Sequence, residues 1–340
     1  MAYYRIASPP PAGEPERIGI LVVNLGTPSS PSYLAVWKYL REFLGDRRVI
    51  DAPRILWLPV LYGFILTLRS LRTVRNYRKV WMSEGSPLAV LSAALTRKLA
   101  ARMDTLHGDH VRVELAMTYG QPSVDLGVAK MIAMNVKRLL VLPLYPQYCS
   151  STTGAVFDRV SAALKRWRWI PEMRFVNDYY STPSYIQAVA DSVREHWRKA
   201  GAQSHLLLSF HGIPQVYVAQ GDPYRDQAEG TATRVMQNLQ LTDQDFTLAY
   251  QSRFGPVLWL QPYTEDSLKA LAARGVREVT VASPSFAVDC LETLEEIAVE
   301  YRETFAKLGG TLTMVPALND SEAHVEALMA VIQTHLKGWM

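Results

Sequence analysis

Strand-length apolar runs recur along the chain, separated by longer stretches with a helical apolar stripe. The runs include RIGILVVNLG (17–26), VRVELAMTYG (111–120), VKRLLVLPLY (136–145), SHLLLSFHG (204–212), FTLAYQS (246–252) and VREVTVASPSF (276–286). Short, nearly uninterrupted apolar runs predict strands buried on both faces, as in parallel sheets covered by helices. Between them SPLAVLSAALTRKLAARMDTL, SYIQAVADSVREHWRKAG and TEDSLKALAARG predict helices. The last two close at a glycine, which suits a helix C-terminus. The alternation places the chain in the doubly wound α/β class.

The pattern repeats. LVVNLGTP (21–28) and LLSFHGIP (207–214) share an apolar strand followed by Gly-x-Pro, and NVKRLLVLP (135–143) matches GVREVTVASP (275–284) in pattern. Two similar α/β domains with parallel sheets are therefore expected, with a cleft between them. The expected limits are a flexible lead-in at 1–14, domains at 15–170 and 171–318, and a C-terminal helix at 319–340. That helix carries the stripe Val325, Leu328, Met329, Ile332 and Leu336, and is expected to pack back on the first domain. The marker prolines Pro28 and Pro143 lie farther apart than Pro214 and Pro284, so the first half holds about 45 extra residues, roughly 45–90. Ligands in open α/β sheets bind beyond the carboxyl ends of the strands. Leu25 then corresponds to His211: one wall apolar, the other chemical.

Within the extra segment, ILWLPVLYGFILTL (55–68) is uncharged and is followed by Arg69, Arg72, Arg75, Arg78 and Lys79. Interrupted by Pro59 and Gly63, it is too short to span a bilayer as one helix. Two readings stay open. One is a buried helix-and-turn; the other is an apolar lip that dips into a membrane interface or grips a flat apolar ligand, with the arginines holding anionic groups.

Composition narrows the function classes. With 340 residues, 49% apolar and 20% charged, the chain has the makeup of two well-packed domains. A net charge of +4, without a basic stripe or reading module, argues against nucleic acid as a partner. Cys149 and Cys290 are the only cysteines and form no C-x-x-C pair, so no disulfide framework, zinc site or four-cysteine iron–sulfur cluster is expected. Reduced thiols in a cytoplasmic protein fit that count. The N-terminal MAYYRIASPPPAGEPER lacks the apolar core of a signal peptide. The sequence contains no Gly-rich phosphate loop, G-x-G-x-x-G after the first strand, H-E-x-x-H or G-x-S-x-G, so nucleotide and hydrolase chemistries lose their usual support.

Of seven histidines, His107, His110, His196, His205, His324 and His335 have structural readings in loops, helices or a strand start. His211 differs: it ends an apolar strand just before Gly-Ile-Pro, a rigid turn that projects a side chain. A buried, hydrogen-bonded role competes with that reading. Asp289, Glu292 and Glu296 follow i, i+3, i+7 spacing and share one face of a helix. Asp289-x-x-Glu292 also reads as an N-terminal cap, but Glu296 lies beyond the first turn, where capping has no use for it. Such a row could pass protons or a hard divalent cation inward. Trp259 reads either as a core tryptophan or as a flat surface for a flat ligand.

Together these stretches resemble ferrochelatase. NLGTP (24–28), GSPL (85–88), MTYGQPS (117–123), LPLYPQYCSSTTG (142–154), SFHGIP (209–214), GDPY (221–224), YQSRFGPVLWL (250–260) and DCLETLEEI (289–297) occur in family order and cover nearly the whole chain. The resemblance implies insertion of Fe²⁺, a substrate and not a resident cofactor, into protoporphyrin IX to give heme b with loss of two protons. It implies His211 and Glu292 as the catalytic and metal-contacting pair, and Asp289 and Glu296 as an acidic relay. Leu25, Arg69, Tyr119 and Trp259 fall at porphyrin-binding positions. Porphyrin and ferrous iron are the expected partners, with peripheral contact at the inner face of a membrane. Two departures stand out: Cys290 replaces a histidine of animal relatives, and Thr118 stands where a basic residue is common. Coproporphyrin, another tetrapyrrole chelatase, and a non-catalytic porphyrin carrier are the alternatives.

Overall fold

Six strands form where the apolar runs predict them: β1 (Arg17–Gly26), β2 (Val111–Tyr119), β3 (Val136–Pro143), β5 (His205–His211), β6 (Phe246–Gln251) and β7 (Glu278–Ala282). Two more, β4 (Glu172–Phe175) and β8 (Thr311–Met314), are short edge strands whose residues are mostly half-buried or exposed. Short and little buried, they lack the apolar run that marks the other strands. The computed structural model describes residues 4–5 and 13–340; most of the expected lead-in at 1–14 lies outside the described residues.

The strands make two four-stranded sheets, ordered β2-β1-β3-β4 and β6-β5-β7-β8, and every pairing is parallel. The chain divides into two compact units. Unit 1 comprises Met1–Tyr145, Cys149–Asn177 and Met329–Met340; unit 2 comprises Pro146–Tyr148 and Asp178–Leu328. An expected boundary at 170/171 assigns β4 to the second domain, but β4 pairs with β3 through Arg138–Glu172 to Val141–Phe175 and belongs to unit 1. The crossover before β4 is an ordinary βαβ connection, so no linker lies there.

Each sheet is buried by its helices. In unit 1, Leu21, Val23 and Val141 pack with Val128, Met131, Val156 and Val160; in unit 2, Leu207, Ala249 and Val281 pack with Leu268, Leu271, Ile297 and Phe305. Serine caps set helix starts: Ser86 accepts from the Ala89 N–H, and Ser123, after β2, from the Leu126 N–H.

The repeat is plainer in the fold than in the letters. Both sheets have their first strand second in order, flanked by the second and third strands. Gln121–Pro122 and Gln261–Pro262 are both cis, and each proline carbonyl accepts from the preceding strand, from the Met117 N–H at 2.6 Å and the Tyr250 N–H at 2.8 Å. This second Gln-Pro match escaped the letter comparison because the residues around it differ.

Of the two readings of the extra segment, the buried one fails. Arg54–Val80 is a single 27-residue helical run, and only 17% of its most apolar window is buried. Ile55, Leu56, Phe64, Leu68 and Leu71 are all exposed. Pro59 and Gly63 do not break it, contrary to the sequence expectation. The proline falls in the first turns, and the register then loosens to π-helix over Leu61–Arg69, which absorbs the lost backbone bond. By length and composition this run is apolar enough to cross a membrane.

The C-terminal helix spans Glu322–Leu336. Its end is held within unit 1: Arg174 donates to the carbonyls of His335 and Lys337, Arg138 to that of Trp339, and the Trp339 indole N–H to Glu172.

Candidate active site

In unit 2, β5 ends at His211, paired with Gln251 on β6, and the Gly212 N–H donates to the Gln251 carbonyl at 2.8 Å. Position 212 needs a glycine because a Cβ there meets the Gln251 oxygen at 2.8 Å and the Trp259 ring at 3.2 Å. The half-buried imidazole of His211 lies 6.4 Å from the Trp259 ring and 6.2 Å from the Phe286 ring, centroid to centroid. Trp259 is anchored from both ends. Its indole N–H donates to the Phe254 carbonyl, and its backbone neighbours Leu258 and Leu260 bond to Gln215 and Ile213.

The His211 Nδ1 sits 2.7 Å from the Gly212 carbonyl oxygen. A carbonyl only accepts, so Nδ1 carries the proton and Nε2 is the basic nitrogen. The turn that follows the strand therefore sets the tautomer.

The acidic segment is not the α-helix that i, i+3, i+7 spacing presumes. Glu292–Tyr301 is a π-helix, and Asp289 precedes its first turn altogether. In a π-helix residues five apart stack along the axis, and such helices concentrate at functional sites. Tyr301, five residues after Glu296, donates its hydroxyl to the Glu296 carboxylate at 2.7 Å. Three further donors converge on Glu296: the Gln251 amide at 3.2 Å, the Ser252 N–H at 2.9 Å, and the Ser252 hydroxyl. Ser252 holds this pose at φ +64°, a left-handed conformation uncommon for serine. Burial, then the Glu296 charge, raises the Tyr301 phenol above its ordinary range.

Gln251 connects the two groups that the sequence singles out. Its backbone pairs with His211, while its amide donates to the Glu292 carbonyl at 3.2 Å and to Glu296. Its own oxygen accepts from the Ser209 hydroxyl at 2.8 Å. Beside Glu292, the fully enclosed Cys290 thiol is pushed well up, first by burial and then by the Glu292 charge. It is a neutral thiol at neutral pH, not a metal-binding thiolate.

Asp289 faces elsewhere. Its carboxylate accepts from the Thr293 hydroxyl at 2.9 Å, the Ala317 N–H at 3.2 Å and the Asn319 amide at 2.8 Å. The structure thus gathers Glu292 and Glu296 around Gln251 and leaves Asp289 among structural donors. Among the described residues, no three His, Cys, Asp or Glu side chains cluster as a metal cage.

In unit 1, Leu25 is the penultimate residue of β1 and is half-buried; its N–H donates to the Asn24 side chain at 2.8 Å. Thr118 is buried and spends its hydroxyl on the Asn24 carbonyl. Tyr119, expected on the porphyrin wall, is fully enclosed: Phe43 packs edge-on against it and the Arg159 guanidinium lies 5.2 Å from its ring centre. Burial and the nearby Asp46 charge raise its phenol above the ordinary range. Its enclosed ring presents no face to a ligand. Arg69 is exposed at the end of the π-helical stretch of the 54–80 helix.

Sequence reasoning missed Gln251, Ser252 and Phe286, although the first two stand in YQSRFG beside the chosen Trp259. A glutamine and serine at a strand's carboxyl end were the available signal. His324, read as a structural residue of a helical stretch, is fully buried.

A model of the ferrochelatase family matches residues 17–336. The ferrochelatase of Thioalkalivibrio sulfidiphilus (strain HL-EbGR7) is 45% identical over 328 residues, covering 96% of this chain and 89% of its own. That of Sodalis glossinidius (strain morsitans) is 46% identical over 323 residues, covering 95% of each. Among solved structures, the sirohydrochlorin chelatase SirB from Bacillus subtilis subspecies spizizenii, in complex with cobalt, has TM-score 0.55 and 9% identity, covering 93% of this chain and 94% of its own. At that identity the likeness speaks for the fold alone. The chain belongs to the ferrochelatase family, enzymes that insert metal into a porphyrin on the way to heme.

Proposed function

We propose that the chain inserts Fe²⁺ into protoporphyrin IX, giving heme b and two protons. The observation that carries the chemistry is the His211 imidazole, held with Nδ1 protonated by the Gly212 carbonyl so that Nε2 is the base. Metal insertion exchanges two pyrrole protons for one dication, so the ring leaves neutral at its centre and two protons must be taken up. His211 Nε2 accepts the first, and the second leaves along the carboxylates of Glu292 and Glu296. Glu292 offsets the charge of the incoming iron as it sheds water, and Glu296 extends the acidic path outward. Trp259 and Leu25 hold the ring and Arg69 its propionates. A site that binds a bent ring better than a flat one exposes the nitrogen lone pairs and then releases the flat product.

The choice of protoporphyrin over the tetracarboxylate coproporphyrin rests on the exposed apolar helix at 54–80. That surface suits the more lipophilic ring. We further propose a cytoplasmic protein whose 54–80 helix rests peripherally on the inner face of a membrane, with its arginines at the headgroups. The reading requires no iron–sulfur cluster and no nucleic acid. Anaerobic turnover with Fe²⁺, comparing the two porphyrins, tests it. Faster turnover of protoporphyrin is expected; preference for coproporphyrin overturns the substrate assignment, and porphyrin binding without turnover leaves only a carrier.

A further inference from the structure

Buried Asp289 and His324 are bridged by half-buried Asn319 in a bracket that the metallation chemistry does not use. The Asn319 side chain clasps Asp289 twice: its oxygen accepts the Asp289 N–H and its amide donates to the Asp289 carboxylate, both at 2.8 Å. Asn319 adopts φ +51°, and its own N–H donates to the Ala287 carbonyl at 3.0 Å. Its carbonyl accepts from His324 Nδ1 at 2.6 Å. His324 is wholly buried, and burial lowers its pKa to about 4, so the ring is neutral with its proton on Nδ1. The other carboxylate oxygen of Asp289 accepts from Thr293, whose hydroxyl also takes the Cys290 N–H at 3.1 Å. The chain of bonds thus runs from the C-terminal helix to the first turn of the π-helix, where Glu292 begins.

We propose that Asn319 is a positioning residue: clamped by His324, it fixes Asp289 and through Thr293 the pose of Glu292, so that Asp289 orders the site and carries no proton for it. The inference rests on the proposed role of Glu292. Three donors hold the Asp289 carboxylate, and protonating it would remove the charge that strengthens all three bonds, so a relay role works against the clasp. The polarity of the clasp suggests its own test, because exchanging the two side chains preserves it. In Asp289→Asn combined with Asn319→Asp, the asparagine oxygen still accepts from Thr293 and Ala317, and its amide donates back to the new carboxylate. Asp289→Asn alone sets amide against amide, and Asn319→Asp alone sets carboxylate against carboxylate.

Each single variant is expected to lose roughly 10- to 100-fold in kcat with KM for porphyrin little changed, since a shift of about an ångström at a reacting group costs that much. The double variant is expected within about threefold of wild type, with the wild-type pH–rate profile, as coupled positions restore one another. A folded double variant as slow as the singles, or with an altered pH profile, overturns the proposal, as do singles with wild-type kcat. Should the singles not fold, the double variant against wild type decides alone. Hydrogen exchange of the π-helix amides, faster in Asn319→Asp and restored in the double, reads the bracket without turnover. If wild type itself fails to metallate, the role of Glu292 falls while that exchange pattern still judges the bracket.

Discussion

Leu25–Gly26 and His211–Gly212 end equivalent strands in the two units, yet one end is sealed and the other equipped. In unit 1 the polar groups near the strand end are consumed internally: Asn24 by Ser92 and Leu25, and Thr118 by Asn24, with Tyr119 enclosed behind them. In unit 2 the neighbouring strand ends in Gln251 and Ser252, which turn their donors onto the acidic π-helix. The third strand of each unit leads to a π-helical stretch: Ser150–Gly154, with four hydroxyl residues, in unit 1, and Glu292–Tyr301 in unit 2. One backbone plan therefore serves two purposes. What separates them is the charge on the π segment and the donors facing it, not the topology.

The largest expected effect tests whether chemistry resides in one half only. His211→Ala is expected to lower metallation roughly 10²- to 10⁴-fold, the usual range for removing a positioned base, with porphyrin affinity nearly retained. Leu25→Ala, its counterpart, is expected to raise KM and leave kcat nearly intact, because an apolar contact binds ring and transition state alike. Steady-state kinetics with fluorescence titration of porphyrin separates the two. Normal turnover by the His211 variant removes the asymmetry altogether.

A second contrast concerns the glycines that follow. A Cβ at Gly26 comes within 1.7 Å of the Tyr119 carbonyl oxygen, and the residue sits at φ +102°. Gly26→Ala therefore combines backbone strain with a clash against a rigid strand, and about 4 kcal/mol or more of lost stability is expected. Gly212→Ala meets the Gln251 oxygen at 2.8 Å without a positive φ, and about 1–3 kcal/mol is expected from overpacking. Urea denaturation compares them, and the reverse ranking contradicts the account of the sealed end.

Much of this was legible in the letters and some was not, for identifiable reasons. Longer, largely buried strands announce themselves as apolar runs, so β1–β3 and β5–β7 could be read directly. The four-residue β4 and β8 could not, since short, half-exposed segments leave no run. Gly-x-Pro after the first strand of each half disclosed the repeat and placed His211. The π-helix was invisible: carboxylates at 289, 292 and 296 suit an ordinary helical face, and only the fold shows that Asp289 falls before it. The full burial of His324 was equally silent, since Glu322 and Glu326 flank it in sequence. Burial on a helix depends on which face meets a neighbour, and no single position reveals that.

His324 distinguishes the halves in acid. Its pKa is lowered to about 4 by burial, from an ordinary 6.5. Between those values the unfolded chain binds a proton that the folded one refuses, so stability is full above pH 6.5 and falls as pH drops toward 4. The loss tends to about 3 kcal/mol at the lower end, and to somewhat over 1 kcal/mol for each pH unit on the way. Urea midpoints measured from pH 7 to 5 should fall in the wild type. They should fall less steeply in His324→Asn, which keeps a donor near the Nδ1 position but cannot titrate. Parallel slopes in the two proteins mean that the ring is already protonated or already solvated.

The smallest effect sharpens the comparison where it is finest, at one serine. Ser252→Ala removes the hydroxyl bond to Glu296 but leaves the backbone N–H bond, the Gln251 amide and the Tyr301 hydroxyl in place. Stability should drop by only about 1–2 kcal/mol, the cost of one bond to a charged group. Turnover should fall severalfold if Glu296 must be held still, since three donors fix its plane less firmly than four. Ser252→Gly deletes the same hydroxyl while easing the φ +64° backbone, so its stability should exceed that of Ser252→Ala even though the bond is equally lost. If glycine also restores turnover, the serine was needed for its backbone shape. If turnover stays low in both, the hydroxyl itself keeps the acidic π-helix in order, which is what the corresponding strand end of unit 1 has no carboxylate to require.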